Sequence, residues 1–534
     1  MPHPECIQAV MIDTASIQQY IYASNKLKEN IGASHLVQYI YREPLRTVID
    51  EIYPTPGKKF DLTGWKKNPS GFFQQRASFD IGYIGGGNAL LLFRADDSKS
   101  AEEHANNFIQ QWTTYLLIEA PGIIIAVAHY KTTQGDLDKQ FQEVKKRLNE
   151  LLIANRSEHL PQTMIPRHGI TAECSRSGLS MDVWNDRVSP NEQNYISSVT
   201  YAKLQGAEEE QRKLKTTYHD LLQNGRYTFS EQIDSLGQKH GEDSHVAIVH
   251  IDGNDMSKEF DGFNSLEEFR IFSRDVEDGT HKAFERLLRH IINQYTKIMD
   301  FLGSDEKSIL PIRYIMLGGD DITFVCDGRL GLYFSKLFIE FFEEEQRQHE
   351  LTACAGIAIV KSKYPFSRGY DLAEELCTNA KKTRKRHGDS VSYLDFQVSM
   401  GGISGDIETI RAKYFQAVQG ELLFRPYRIT GQKETNDDGR NFNEILAALK
   451  PLRDNWPNNK IQELRRVLAL SESVTQQFVQ EMTFRDRALP KIRGGNYHKT
   501  LFDKNTKKTP YFDLIELLEF YPNFAVLTKG GKSK

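Results

Sequence analysis

The chain reads as an α+β protein built on a ferredoxin-like unit that occurs twice, and three observations carry that reading. The segment "AVMIDTASIQQYI" (9–21) parallels "AIVHIDGNDMSKEF" (247–260). Each is an apolar strand ending in Ile-Asp, then a polar turn, then the start of a helix, and Asp13 falls opposite Asp252. Next, "YIGGGNALLLF" (83–93) parallels "MLGGDDITFVC" (316–326), at similar distances from those aspartates: 86 − 13 is 73 and 319 − 252 is 67. Last, "GIIIAVAHYKT" (122–132) is set against "AGIAIVKSKYP" (355–365), each followed by a helical stretch, "LDKQFQEVKKRLNELL" (137–152) or "YDLAEELCTNAKKTRKR" (370–386). Similar elements in the same order at matched spacing mark a repeat.

Each copy thus reads strand, helix, glycine-turned hairpin, helix, strand, helix. Short strands flanked by long helices predict helices on one face of an antiparallel sheet, the palm-type arrangement. Glycines suit the hairpin because primed turns need positive φ. The expected domains are a first palm over 1–165 with an acid-free GGGN turn, a middle helical and loop domain over 166–243, a second palm over 244–398 with GGDD, and a C-terminal helical domain over 399–534. "QVSMGGISGD" (397–406) reads as a connection. Helical periodicity runs through "FNEILAALKPLRDNW" and "KIQELRRVLALSESVTQQFVQEM", and the tail "TKGGKSK" is expected to fray.

At 534 residues the chain exceeds one compact core. Hydrophobic content of 39% and charged content of 26% are ordinary for a globular protein, and a net charge of −4 offers no global basic field for nucleic acid. No apolar run of about 18 residues argues for a membrane span, and the N-terminus lacks a signal-peptide layout. Cys6, Cys174, Cys326, Cys354 and Cys377 stand alone, which argues against a disulfide framework or a zinc knuckle and places the chain in the reducing cytoplasm.

The chemistry lies in the second copy. A palm sheet sets the end of its first strand beside the central hairpin, which brings Asp252 next to Asp320 and Asp321. Converging carboxylates repel unless a cation sits between them. Few hard oxygen ligands, with phosphate completing the shell, suit Mg²⁺ or Mn²⁺ in a two-metal site for phosphoryl transfer. Gly318 and Gly319 allow close approach of a nucleotide, and Gly253 offers a backbone carbonyl to the metal. Asp255 reads equally as a further ligand or as a turn residue. Lys381, in "NAKKTRKRHG", is placed to neutralise a triphosphate, while its basic neighbours read as a solvated helix end. In the first copy the turn is Gly85-Gly86-Gly87-Asn88, so the acids are gone. There Gly32 and Ser34, in "KLKENIGASHL" (26–36), read either as a phosphate or ribose contact or as close helix packing.

These residues resemble the large subunit of type III CRISPR effector complexes, a two-palm cyclic-oligoadenylate synthase of the GGDD polymerase/cyclase superfamily. The resemblance rests on "IQQYIYASNKLKENIGASHL" in the first palm, on "IDGNDM" with "GGDD" in the second, and on "LLFRPYRIT" (422–430) before the C-terminal helices. It implies an internal pseudo-dimer of palms that binds two ATP. Asp252, Asp320 and Asp321 would hold Mg²⁺, and Ser34 and Lys381 would contact nucleotide. The 3′-hydroxyl of one ATP would attack the α-phosphate of the other, releasing pyrophosphate. The product would be a cyclic or linear oligonucleotide messenger that activates a downstream effector in antiviral defence. Implied partners are guide and target RNA with small CRISPR-type subunits, or a dedicated regulator, and no membrane. The chain reads as a shortened form without the HD nuclease domain. The middle region keeps only Cys174 of the family's zinc cysteines, so zinc there is not expected. Two other readings compete: a non-catalytic scaffold subunit of an RNA-guided complex, and a GGDEF-type dinucleotide cyclase.

Overall fold

The computed structural model describes residues 6–67, 71–158, 170–185, 195–236, 244–399, 405–429, 439–492, 497 and 501–526. The "TKGGKSK" tail and residues 400–404 of the glycine-containing connection lie outside them. The chain forms two compact units. The first comprises Met1–Tyr218 with Asp255–Asp278 and Gly318–Asp320; the second comprises His219–Asn254, Gly279–Leu317 and Asp321–Lys534.

The first unit is built on four strands: β1 (Cys6–Ala15), β2 (Phe79–Gly85), β3 (Asn88–Ala95) and β4 (Ile124–Thr132). Their order, β2-β3-β1-β4, is that of a ferredoxin-like sheet, with β1 antiparallel to both β3 and β4. Alternation along β1, which leads into the short helix α1 (Ile17–Tyr22), sorts its side chains to two faces. Val10 and Ile12 pack with α2 (Leu27–Tyr39) and α3 (Ser98–Glu119), around Leu36, Phe108 and Trp112. Phe79 centres this layer, stacking on Phe108 and meeting Phe93 edge-on. Fully burying each such ring contributes about 1.5–3 kcal/mol. Ile7, Ala9 and Met11 face α4 (Phe141–Glu158) through Phe141, Val144 and Leu148, with Leu266 and Phe269 from the 255–278 segment. Helices therefore cover both faces, not one. Each strand face is apolar, and a doubly apolar sheet has to be covered twice. The helix α5 (Ser198–Thr217), from the middle region, also belongs to this unit and packs along α2.

The second unit carries a six-stranded sheet: β5 (His245–Gly253), β6 (Ile312–Gly318), β7 (Asp321–Asp327), β8 (Ala353–Lys361), β9 (Ser392–Val398) and β10 (Tyr427–Ile429). The order β6-β7-β5-β8 repeats that of the first sheet, and β9 and β10 extend it. Because β9 runs parallel to β8, this sheet is mixed rather than purely antiparallel. The register also realigns the third repeat pair. Asp13 lies opposite Ala126, and Asp252 opposite Cys354. The true offset is 354 − 126, or 228, not the 355 − 122, or 233, that the sequence match suggested. Two uniformly apolar strands do not specify their own register.

Helix α6 (Gly331–Glu345) packs on β5 where Gly331 meets Ala247. Helix α7 (Phe366–His387) lies on the face that carries Asp252. The C-terminal region carries the helices Phe442–Asn455, Asn458–Val467, Glu472–Phe484 and Tyr511–Phe520. Among the described residues, no helix is long and apolar enough to cross a membrane.

Candidate active site

Strand β5 delivers Asp252 to the end of the second sheet, and the ladder puts Asp321 directly opposite it. Directly opposed residues share a face. His250, two residues back, shares that face and sits opposite Thr323. Its Nδ1 lies 3.1 Å from the Thr323 hydroxyl. Across this face runs α7, which contributes Cys377 and Lys381, four residues and about one turn apart.

What lets the helix come so close is Gly356 on β8. A Cβ there would lie 1.9 Å from the carbonyl oxygen of Ala373 and 2.4 Å from the backbone nitrogen of Cys377. Sequence reasoning passed over Gly356. Its signal was an isolated glycine inside a strand, which marks a close backbone approach.

Lys381 closes the site. Its Nζ donates to Asp252 Oδ2 at 2.6 Å and to the carbonyl of Gly253 at 2.7 Å. Burial works against the Lys381 charge, but the Asp252 carboxylate, with Cys377 and Cys354 beside it, holds the lysine pKa above its ordinary value. Burial pushes the His250 pKa down to about 4, so its imidazole is neutral near pH 7. Burial also pushes the Cys377 thiol well up.

The hard-cation reading can be tested on this donor set. One carboxylate oxygen and one carbonyl oxygen already converge on a single positive charge, and a second carboxylate stands opposite in register. Those are the ligand types that Mg²⁺ takes, and the residues fit it.

Asp320 and Gly319 form the turn that joins β6 to β7. Gly319 holds φ at +62°, whereas Asp320 is not among the positive-φ residues. In the first unit both turn glycines are left-handed, Gly86 at +59° and Gly87 at +77°. The second hairpin thus needs glycine at only one central position, and the other is open to an L-residue with a carboxylate. Among the described residues, nothing beyond their own chain neighbours lies within 4 Å of where a Cβ of Gly318 or Gly319 would stand. Asp255 caps the short helix Met256–Phe260 from a left-handed position, φ +55°, as Ser16 does in the first copy at +54°. Its carboxylate lies 3.4 Å from Lys258 Nζ.

The first copy preserves the geometry and the first-strand aspartate but not the acids of the turn. Asp13 is opposite Asn88, and Arg156 of α4 pairs with Asp13. A cation from the last helix thus meets the first-strand aspartate in both units. Gly32 is accounted for by packing: a Cβ there would lie 1.6 Å from the Lys203 carbonyl oxygen on α5. A Gly32→Val variant is expected to lose about 1–3 kcal/mol of stability through overpacking, read as a lower denaturant midpoint at unchanged slope. Ser34 is buried on the same helix, four residues on from Asn30, a fully buried side chain whose amide nitrogen and oxygen both lack a hydrogen-bond partner among the described residues.

A ferredoxin-like sheet with one acid ending its first strand and two more at the adjacent hairpin defines the class: this is a palm domain. Residues 245–390 match the family model described as Cas10/Cmr2, second palm domain. The fold matches solved structures over nearly the whole chain. Csm1 in T. onnurineus aligns with a TM-score of 0.54 at 13% identity, over 96% of this chain and 70% of that one. A Csm1-Csm4 cassette in complex with one ATP aligns at 0.53, 13%, 96% and 70%. A Csm1-Csm4 cassette in complex with pppApApA aligns at 0.50, 11%, 96% and 69%. At these identities the likeness is one of fold. No curated protein sequence matches the chain. The resemblance to the large subunit of type III CRISPR effector complexes therefore stands on the family model for the second palm and on the fold for the rest.

Proposed function

We propose that the chain is a nucleotidyltransferase that joins nucleoside triphosphates, with ATP the first candidate, through attack of a 3′-hydroxyl on an α-phosphate. The product is a cyclic or linear oligoadenylate-type messenger. The observation that carries this reading is the convergence of Asp252 Oδ2 and the Gly253 carbonyl on one cation, with Asp321 opposite in the ladder. The ATP and pppApApA bound in the fold relatives support the substrate class, and Csm4 in those cassettes supports a CRISPR-type subunit as partner.

In this reading Asp252, Gly253, Asp320 and Asp321 hold Mg²⁺ or Mn²⁺, which when bound supplies charge for the attacking and leaving oxygens. Lys381 releases Asp252 and turns its ammonium to the triphosphate. Gly318 and Gly319 leave room for the nucleotide against the turn. The first palm, whose turn carries no acid, acts as the other half of an internal pseudo-dimer, and the Asn30 amide beside Ser34, unpartnered among the described residues, supports a polar ligand on α2. Catalysis is then mainly positioning and charge neutralisation. The intact acid set favours this over the scaffold reading.

Lys381 and the metal compete for the same two oxygens. A charge-assisted hydrogen bond contributes about 1.5–3 kcal/mol, so a Lys381→Met variant is expected to bind Mn²⁺ roughly tenfold more tightly. Titration by electron paramagnetic resonance reads this, and equal or weaker binding would refute the competition. The function itself is tested by incubating the chain, alone and with co-purifying partners, with each nucleoside triphosphate and Mg²⁺ or Mn²⁺. Mass spectrometry should find oligonucleotide and pyrophosphate. Intact triphosphates under every condition would leave the scaffold reading in its place.

A further inference from the structure

The face that carries Asp252 holds a second donor set, of which hard-cation chemistry uses only Asp252. A ring nitrogen of His250, a carboxylate oxygen of Asp252 and the sulfur of Cys377 all lie within 4.8 Å of one another. All three side chains come from regular elements, β5 and α7, pinned by the Gly356 contact. His250 and Asp252 are two apart on one strand face, and the helix supplies the sulfur from above. The Thr323 hydroxyl, 3.1 Å from Nδ1, fixes the orientation of the imidazole. His250 and Cys377 are buried, while the Asp252 side chain is 35% exposed, which gives an ion a way in from the carboxylate side.

Nitrogen, sulfur and carboxylate oxygen together are a poor shell for Mg²⁺ and a good one for Zn²⁺ and its thiophilic relatives. Three protein ligands leave a fourth position for water. Ligand atoms of a tetrahedral zinc site stand closer than 4.8 Å, so small side-chain shifts complete the geometry.

We infer that His250, Asp252 and Cys377 form a binding site for a thiophilic divalent cation of the Zn²⁺ type, which shares Asp252 with the hard-cation site and excludes Mg²⁺ from it. On binding, Cys377 gives up its thiol proton to solvent as the metal–sulfur bond forms. Lys381 leaves Asp252, as it must for Mg²⁺ too. The exclusion of Mg²⁺ rests on the proposed role of Asp252, whereas the binding itself does not.

Cd²⁺ is the probe, because its bond to sulfur gives an ultraviolet charge-transfer band. The full chain should bind one Cd²⁺ with that band. Cys377→Ser should abolish the band, and Cys6→Ser should leave it intact. His250→Gln, which keeps the thiol, should weaken binding at least as far as loss of an outer partner does, about 10–100-fold. Equilibrium dialysis with Zn²⁺ should give the same order of affinities. Zn²⁺ should also displace bound Mn²⁺, seen by electron paramagnetic resonance. No band in the wild type, or a band that survives in Cys377→Ser, overturns the site. Zn²⁺ and Mn²⁺ bound together overturn the sharing of Asp252. Zn²⁺ binding in a chain that takes up no Mn²⁺ upholds this site and refutes the hard-cation reading.

Discussion

An Asp320→Ala/Asp321→Ala variant is expected to lose pyrophosphate release on the order of a thousandfold or more. The metal's stabilisation of developing charge contributes several kcal/mol, and each 1.36 kcal/mol is about a factor of ten in rate. Asp321 is the residue that faces Asp252 across the ladder, so its removal takes away one of the two strand-borne carboxylates of the site. Asp320 stands at the turn position where positive φ is not required, so alanine fits its backbone without strain. Both residues are only half-buried, and the variant should therefore melt within a degree or two of the wild type, about ±0.5 kcal/mol. Near-normal turnover with an intact fold would remove the hairpin from the mechanism. Loss of turnover with loss of fold would be answered by Asp321→Asn, which keeps the shape and removes the charge.

The largest expected loss of stability lies away from the site, at Asp513. Its carboxylate accepts from the backbone nitrogens of Phe424 and Arg425, each at 3.0 Å, from Arg425 Nε at 3.0 Å and from the Tyr427 hydroxyl at 2.6 Å. Arg425 and Asp513 are both completely buried. Arg425 also donates to the Phe396 carbonyl at 2.7 Å and pairs with Glu516. The network thus ties the "LLFRPYRIT" segment and the strand β9 to the helix Tyr511–Phe520. Removing Asp513 takes from Arg425 one of its two carboxylates and leaves the buried Phe424 and Arg425 N–H groups and the Tyr427 hydroxyl without their acceptor, which costs about 3–5 kcal/mol in all. Asp513→Ala should lower the free energy of unfolding by that amount. Arg425→Met/Asp513→Leu/Glu516→Leu, which removes all three charges of the network, should recover part of it. A loss below about 1 kcal/mol for the single variant would mean that water reaches the pocket.

Much of the fold was legible because it was written twice. The Ile-Asp strand ends, the glycine hairpins and the helices that follow recur in order, and the two sheets share the strand order that this recurrence implies. The acid set was legible by contrast with the first copy: Asn88 stands where Asp321 does, each opposite its own first-strand aspartate. Less was legible where apolar character alone had to specify placement. The third repeat pair slid by the difference of 233 and 228, and the β9 and β10 extension went unseen because "SYLDFQV" has no counterpart in the first copy. Helices on both faces were also missed, since an all-apolar strand does not say how many layers cover it.

By itself, the sequence determined the repeat, the residue types at each turn, and which copy kept its turn carboxylates. Those depend on residue type and spacing along the chain, which sequence records directly. Only the tertiary structure decided what meets Asp252. Lys381 and Cys377 come from a helix more than a hundred residues on, placed by the missing Cβ of Gly356. It also set Gly32 against a neighbouring helix, where sequence alone left packing and ligand contact equal. Which side chains converge in space depends on packing between elements, and no local pattern encodes it.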